Sequence, residues 1–135
     1  MSHRGGLTTA DRLEIMELMA RINQAFDDMD IPTFIDCFEA NGSLSGGRGQ
    51  ATGHDALAKW IAASALRPPH RHFTTNIVLD GAENPNHATA RSHWLQLMED
   101  SGGTLGVEGM GVYKDELVRT GDGWKVKART AIRDR

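Results

Sequence analysis

The residues best suited to chemistry in this sequence lie in the stretch His70-Arg71-His72-Phe73-Thr74-Thr75-Asn76-Ile77-Val78-Leu79. An imidazole titrates near neutrality, so it can take up a proton and return it at ordinary pH. The stretch follows Pro68-Pro69, which cannot continue a helix, and is rich in β-branched and apolar residues. It therefore reads as a strand. Side chains alternate on a strand, so His70, His72, Thr74, Asn76 and Val78 are expected on one face. That face begins polar and ends apolar, which suits a lined pocket better than a solvent face or a plain core. Asp27, near the end of a helical stretch, is the natural partner for His72. A carboxylate on one imidazole nitrogen fixes the tautomer and makes the other nitrogen a stronger base. The bland alternative is a core His72 bonded to backbone and an Asp27 in solvent. His70 and His72 also form an H-x-H pair that can offer two metal ligands, with Asp27 or Glu99 as the third. No second motif supports such a site, so no metal and no cofactor are expected.

The elements that position these residues can be read in order. Thr8 and Asp11 are spaced as a capping box, opening a first helix. Leu13, Ile15, Met16, Leu18, Met19, Ile22, Ala25, Phe26 and Met29 give that helix a wide apolar face. Asp27, Asp28 and Asp30 crowd its end, where carboxylates oppose the helix dipole. Asp30 can cap the next helix, with Pro32 in its first turn. Asp27 lies one turn after Asn23 on the border of the apolar face, so it is the carboxylate expected to be partly buried. A second helix is expected over Ile31 to Glu39, ended by Asn41-Gly42, with a short strand at Ser43-Leu44-Ser45. Gly46 to Gly53 lacks the Lys-Ser/Thr of a phosphate loop and reads as a flexible connection. A third helix is expected from His54 to Leu66, with Leu57, Trp60, Ile61 and Leu66 inward. Beyond the histidine strand, Ala88 to Glu99, Thr104 to Arg119 and Trp124 to Ile132 read as long strands. They are joined by turns at Asp100-Ser101-Gly102-Gly103 and Thr120-Gly121-Asp122-Gly123. The last is expected to close the sheet. Helices followed by a strand meander make an α+β pattern, and a sheet curled around helix ends encloses a cavity.

Composition narrows the function classes. At 135 residues the chain is expected to form one domain, residues 1–135, with residues 1–7 disordered. Fifteen Lys and Arg against eighteen Asp and Glu give a net charge of −3, spread without blocks. That argues against nucleic acid or an anionic membrane as partner. The single cysteine, Cys37, excludes an internal disulfide and fits a reducing compartment. No long apolar run is present, and Met1 to Thr9 lacks the apolar core of a signal peptide, so the expected address is cytoplasmic.

Several short motifs in order resemble one family. These are Asp27-Asp28-Met29-Asp30 before Phe34 and Phe38, Gly53 to Trp60, His72-Phe73-Thr74-Thr75-Asn76, Gly111-Val112-Tyr113, and Gly123-Trp124 followed by Arg129. From about Thr8 to Arg129 the chain resembles the SnoaL-like, nuclear-transport-factor-two-like superfamily. Within it the chain is most similar to the branch of scytalone dehydratase, lindane dehydrochlorinase and dioxygenase β subunits. The resemblance implies a cone-shaped α+β barrel, three N-terminal helices on a strongly curved, mainly antiparallel sheet. It also implies that Asp27 and His72 occupy the positions of the two enzymes' catalytic pair, where the His removes a proton from substrate. Phe26 departs from scytalone dehydratase, which has a Tyr beside its Asp. Tyr113 or Arg129 would then polarise a substrate oxygen. The expected reaction is proton abstraction followed by elimination, isomerisation or cyclisation of a small hydrophobic, cyclic or polyketide-like molecule. The candidate substrate-binding set is Phe26, Trp60, Asn76, Trp94, Gln96, Met98 and Met110, with core packing the alternative for the large ones. A homodimer is expected, with His93, Leu95 and Leu97 as a candidate sheet-to-sheet contact. The competing reading is a non-catalytic binding or accessory subunit, because this fold hosts both.

Overall fold

The computed structural model of the protein describes residues 6–134. The disorder expected for residues 1–7 falls on positions outside that range except at its end, where Leu7 is packed into the core. Thr8 caps α1 (Thr9–Asp27): its hydroxyl accepts from Asp11 N at 3.0 Å, and Asp11 accepts from Thr8 N at 3.1 Å. The capping box satisfies two amide groups that would otherwise lack partners at the helix start. Asp11 also accepts from Trp124 Nε1 at 3.1 Å and pairs with Arg119 Nη1 at 3.0 Å. The backbone hydrogen bond from Thr8, helped by Trp124 and Arg119 and opposed by burial, holds the Asp11 carboxyl well below the usual range. One cap therefore ties α1 to the far sheet hairpin.

Asp30 caps α2 (Ile31–Asp36) by accepting from Thr33 N, with Pro32 in the first turn. The helix stops at Asp36, short of the expected Glu39, because Phe38 is drawn into the sheet opposite Val126. There β1 (Phe38–Gly46) begins. Asn41-Gly42 is part of an irregularity in this strand and does not end a helix. A Cβ on Gly42 would meet Phe38 Cβ and Val126 O at 2.9 Å, so the chain passes too closely for a side chain. The glycine-rich stretch is no loose connection. It holds a tight turn into β2 (Gly49–Thr52), which pairs antiparallel with β1 through Gly46 and Gly49. α3 (His54–Ala62) is shorter than expected; Leu66, expected inward, is 99% exposed in the turns that follow.

The remaining strands are β3 (His70–Gly81), β4 (His87–Glu99), β5 (Leu105–Thr120) and β6 (Gly123–Arg133). They form one six-stranded sheet in the order β2-β1-β6-β5-β4-β3. Only β1 and β6 run parallel; all other neighbours are antiparallel. β6 was expected to close the sheet and instead lies inside it, between β5 and β1. The helices cover the inner face, where Ile15, Met19, Phe34, Phe38, Leu57, Ile61, Leu117 and Val126 are almost inaccessible. Each such side chain contributes about 1.5–3 kcal/mol by leaving water. The architecture is the expected α+β cone, with the β1–β2 hairpin inserted between α2 and α3.

The alternation expected along the histidine strand breaks at Asn76. Its φ of 55° and a register shift between Thr75 and Val78 mark a bulge. His70, His72 and Thr74 face inward, but beyond the bulge Ile77 and Leu79 turn inward, while Asn76 and Val78 are exposed. A bulge inserts one unpaired residue and so inverts every face that follows it.

Candidate active site

Helix α1 and strand β3 meet through two side-chain bonds. Asn23 Nδ2 donates to Thr74 Oγ1 at 2.8 Å, and His72 Nδ1 lies 2.6 Å from Asp27 Oδ1. The spacing explains the match. Four residues along a helix rise about 6 Å, and two along a strand rise about 6.6 Å, so both pairs meet together. Asp27 Oδ2 also accepts from the backbone N of His72 at 2.9 Å. An ionised carboxylate only accepts, so Nδ1 is the donor of this pair, and in the neutral imidazole the lone pair is then on Nε2. The side chains are 12% and 5% exposed.

His72 lines a cavity of about 340 Å³ between the helices and the concave sheet. Phe26, Phe34, Trp60, Trp94 and Leu44 supply apolar wall, while Asn23, Gln96, Tyr113 and Arg129 supply polar groups. Asp27 stands behind His72 and borders a second depression with Arg71 and Phe73 on the other side. The edge of Phe26 meets the His72 ring at 4.7 Å between centroids, which confines the imidazole.

Tyr113 is stacked between Trp94, at 6.0 Å, and the Arg129 guanidinium, at 3.9 Å from its ring. Burial raises its pKa against the pull of Arg129, so the phenol keeps its proton at neutral pH. Arg129, expected to polarise an oxygen, spends two donors on Asp115: Nε to Oδ1 at 2.8 Å and Nη2 to Oδ2 at 3.0 Å. Burial disfavours this cation, but the carboxylate outweighs burial and holds it above its ordinary range. Gly111 is in close contact with the Ile132 carbonyl and with Trp94, and an added Cβ would run into Ile132 O and meet Trp94 Nε1 at 2.8 Å. Only glycine leaves room there for both neighbours.

Three expected pocket residues lie elsewhere. Asn76 is on the convex face, where its Nδ2 donates to His93 Nδ1 at 2.9 Å. Met110 sits opposite Leu95 on that same face and is 55% exposed, because it alternates with Gly111 and Tyr113. Met98 pairs with His70 past the register shift after Gln96, outside the cavity lining. Arg48, Arg67, Glu108 and Arg133 line the cavity and were not singled out from the sequence. Arg48 sits in the glycine-rich turn, which hid its role.

Asp27, His70 and His72 each offer a metal-ligand atom, all within 4.8 Å of one another. His70 Nδ1 donates to Pro68 O at 2.9 Å, and its Nε2 lies 3.7 Å from Asp27 Oδ1 without a hydrogen-bond partner. A cation here would compete with the proton that His72 Nδ1 donates to Asp27. The geometry is that of a hydrogen-bonded pair flanked by a second imidazole.

A SnoaL-like domain model matches residues 8–130. The chain belongs to the SnoaL-like family. No curated protein matches the sequence significantly. Among solved structures, a Nostoc punctiforme protein of unknown function with a cystatin-like fold is 28% identical, at a TM-score of 0.85, over 95% of this chain and 94% of that one. Two Novosphingobium aromaticivorans structures share the fold. A candidate scytalone dehydratase is 22% identical, TM-score 0.81, over 93% and 85% of the two chains. The β subunit of a candidate aromatic-ring-hydroxylating dioxygenase is 19% identical, TM-score 0.77, over 93% and 90%. Among the described residues, no helix is long and apolar enough to cross a membrane.

Proposed function

We propose that this SnoaL-like protein is a cofactor-independent enzyme that abstracts a proton from a small hydrophobic, cyclic substrate. The reading is carried by the His72–Asp27 pair at the wall of an apolar cavity. His72 Nε2 takes the proton, Asp27 orients the ring and stabilises the imidazolium, and the Tyr113 phenol donates to a developing oxyanion. The last role follows from a protonated phenol in a dry wall, where a hydrogen bond to developing charge is strongest. Elimination, isomerisation or cyclisation would follow from the same carbanion. The test is proton exchange at the α-carbon of 2-tetralone in D2O, followed by NMR. The wild type is expected to accelerate exchange over buffer, and His72→Ala to lose about 10²–10⁴-fold. Equal rates in the two proteins would discard the catalytic reading.

The likeness in fold to a dioxygenase β subunit supports a second reading, a non-catalytic accessory subunit. It predicts a stable heteromeric partner and no effect of His72→Ala on any proton-exchange rate. The open, polar-tipped cavity favours the enzyme.

A further inference from the structure

The cavity carries more positive charge than the His72–Asp27 pair uses. Four arginines line it, Arg48, Arg67, Arg129 and Arg133, against one carboxylate, Glu108. The chain as a whole carries −3, so this excess is local to the cavity. Two of the four are neutralised. Asp115 takes Arg129, and Glu108 faces Arg133 Nη1 at 3.4 Å. Arg48 and Arg67 have no carboxylate within ion-pair distance among the described residues.

Both are nevertheless held in place, by neutral groups. The Arg48 guanidinium lies 4.3 Å over the Trp60 ring, and its Nη2 donates to Trp60 O at 3.2 Å. Arg67 Nη2 donates to the Gln96 amide oxygen, and the Gln96 amide nitrogen donates to Glu108 Oε2, both at 3.1 Å in the amide orientation that satisfies both partners. Burial, together with the charge of Arg67, presses the Arg48 guanidinium below its ordinary value. Arg48 is exposed and Arg67 half-buried, so the two sit where the cavity meets solvent; like charges gathered there repel, and an anion placed between them removes that repulsion. Guanidinium forks match a carboxylate in shape as well as charge.

We propose that Arg48 and Arg67 form a carboxylate-binding subsite, so that the cavity takes a flat hydrophobic molecule bearing a carboxylate. This rests on reading the cavity as a small-molecule site, and it adds the charge of the occupant. Trp60, Phe26 and Trp94 enclose the ring system, while His72 meets a carbon away from the carboxylate.

The test is calorimetric binding of 2-naphthoate and its neutral isostere 2-naphthamide, at low ionic strength and about pH 8, where an ordinary imidazole is neutral. The wild type is expected to bind the naphthoate about tenfold or more tightly than the amide. An Arg48→Gln/Arg67→Gln variant is expected to lose the preference, binding naphthoate no more tightly than naphthamide. Retained naphthamide binding also shows that this variant is folded. Arg67→Lys keeps the charge without the fork and is expected to show a smaller preference. Equal affinities in the wild type, or a preference that survives the double substitution, would overturn the subsite and leave the cavity reading standing. Binding of neither probe to the wild type would overturn both.

Discussion

Asp27 grips His72 at two points, its backbone N–H and its ring N–H, with one oxygen for each. Burying a carboxylate costs several kcal/mol unless it is hydrogen-bonded, and these two donors offset that cost. The same grip fixes the imidazole tautomer and the start of β3. In Asp27→Asn, one acceptor becomes an NH2 that faces a donor. Proton exchange by this variant is expected to fall about 10²-fold or more, with a cooperative thermal transition retained. An unchanged exchange rate in a folded Asp27→Asn protein would mean that His72 needs no orienting carboxylate. Arg129 is the opposite case, a cation whose donors are committed to Asp115, so its weight falls on holding Tyr113 and the β5–β6 pairing.

At the scale of elements, Asp11 links the α1 cap to Arg119 and Trp124 at the β5–β6 hairpin. Its folded-state pKa is depressed, chiefly by the Thr8 amide, so its stabilisation is present above the ordinary carboxylate value and fades as pH falls below it. Asp11→Asn is expected to lower stability by about 1–3 kcal/mol at neutral pH. The gap should narrow below about pH 4, measured by urea unfolding across pH. A gap that is constant with pH would assign the loss to hydrogen-bond geometry and not to charge. The bulge at Asn76 acts at the same scale, keeping His72 on the inner face while returning Ile77 and Leu79 to the core.

At the scale of the molecule, the convex face of the sheet exposes several large apolar side chains. Phe73, Met110 and Ile132 are 48%, 55% and 42% exposed, and register places Phe73 beside Leu95 and Leu95 beside Met110. Exposed apolar side chains that neighbour one another across strands are a common mark of an interface. The expectation of a homodimer through His93, Leu95 and Leu97 can be tested on this face. Met110→Lys is expected to shift the protein to monomer in sedimentation experiments without changing its thermal midpoint by more than a few degrees. A wild-type monomer at micromolar concentration would dismiss the dimer.

The sequence by itself determined the parts governed by local rules. Capping follows local residue type and spacing, so the Thr8–Asp11 box and the Asp30 cap before Pro32 were legible, and β-propensity with turn signals located the long strands. His72 and Asp27 were legible because imidazole after a proline break and a carboxylate at the wrong helix end both lack a local reason. Pairing was decided only by tertiary structure. Whether Phe38 ends a helix or starts a strand depends on Val126, far away in the chain, and the place of β6 beside β1 depends on the whole sheet. The inversion at Asn76 and the outward turn of Met110 follow from a bulge and strand parity that no local propensity encodes. Arg48 and Arg67 are ordinary in sequence. They converge only because a glycine turn and a post-helical turn fold to one cavity, where charge acts through space and not along the chain.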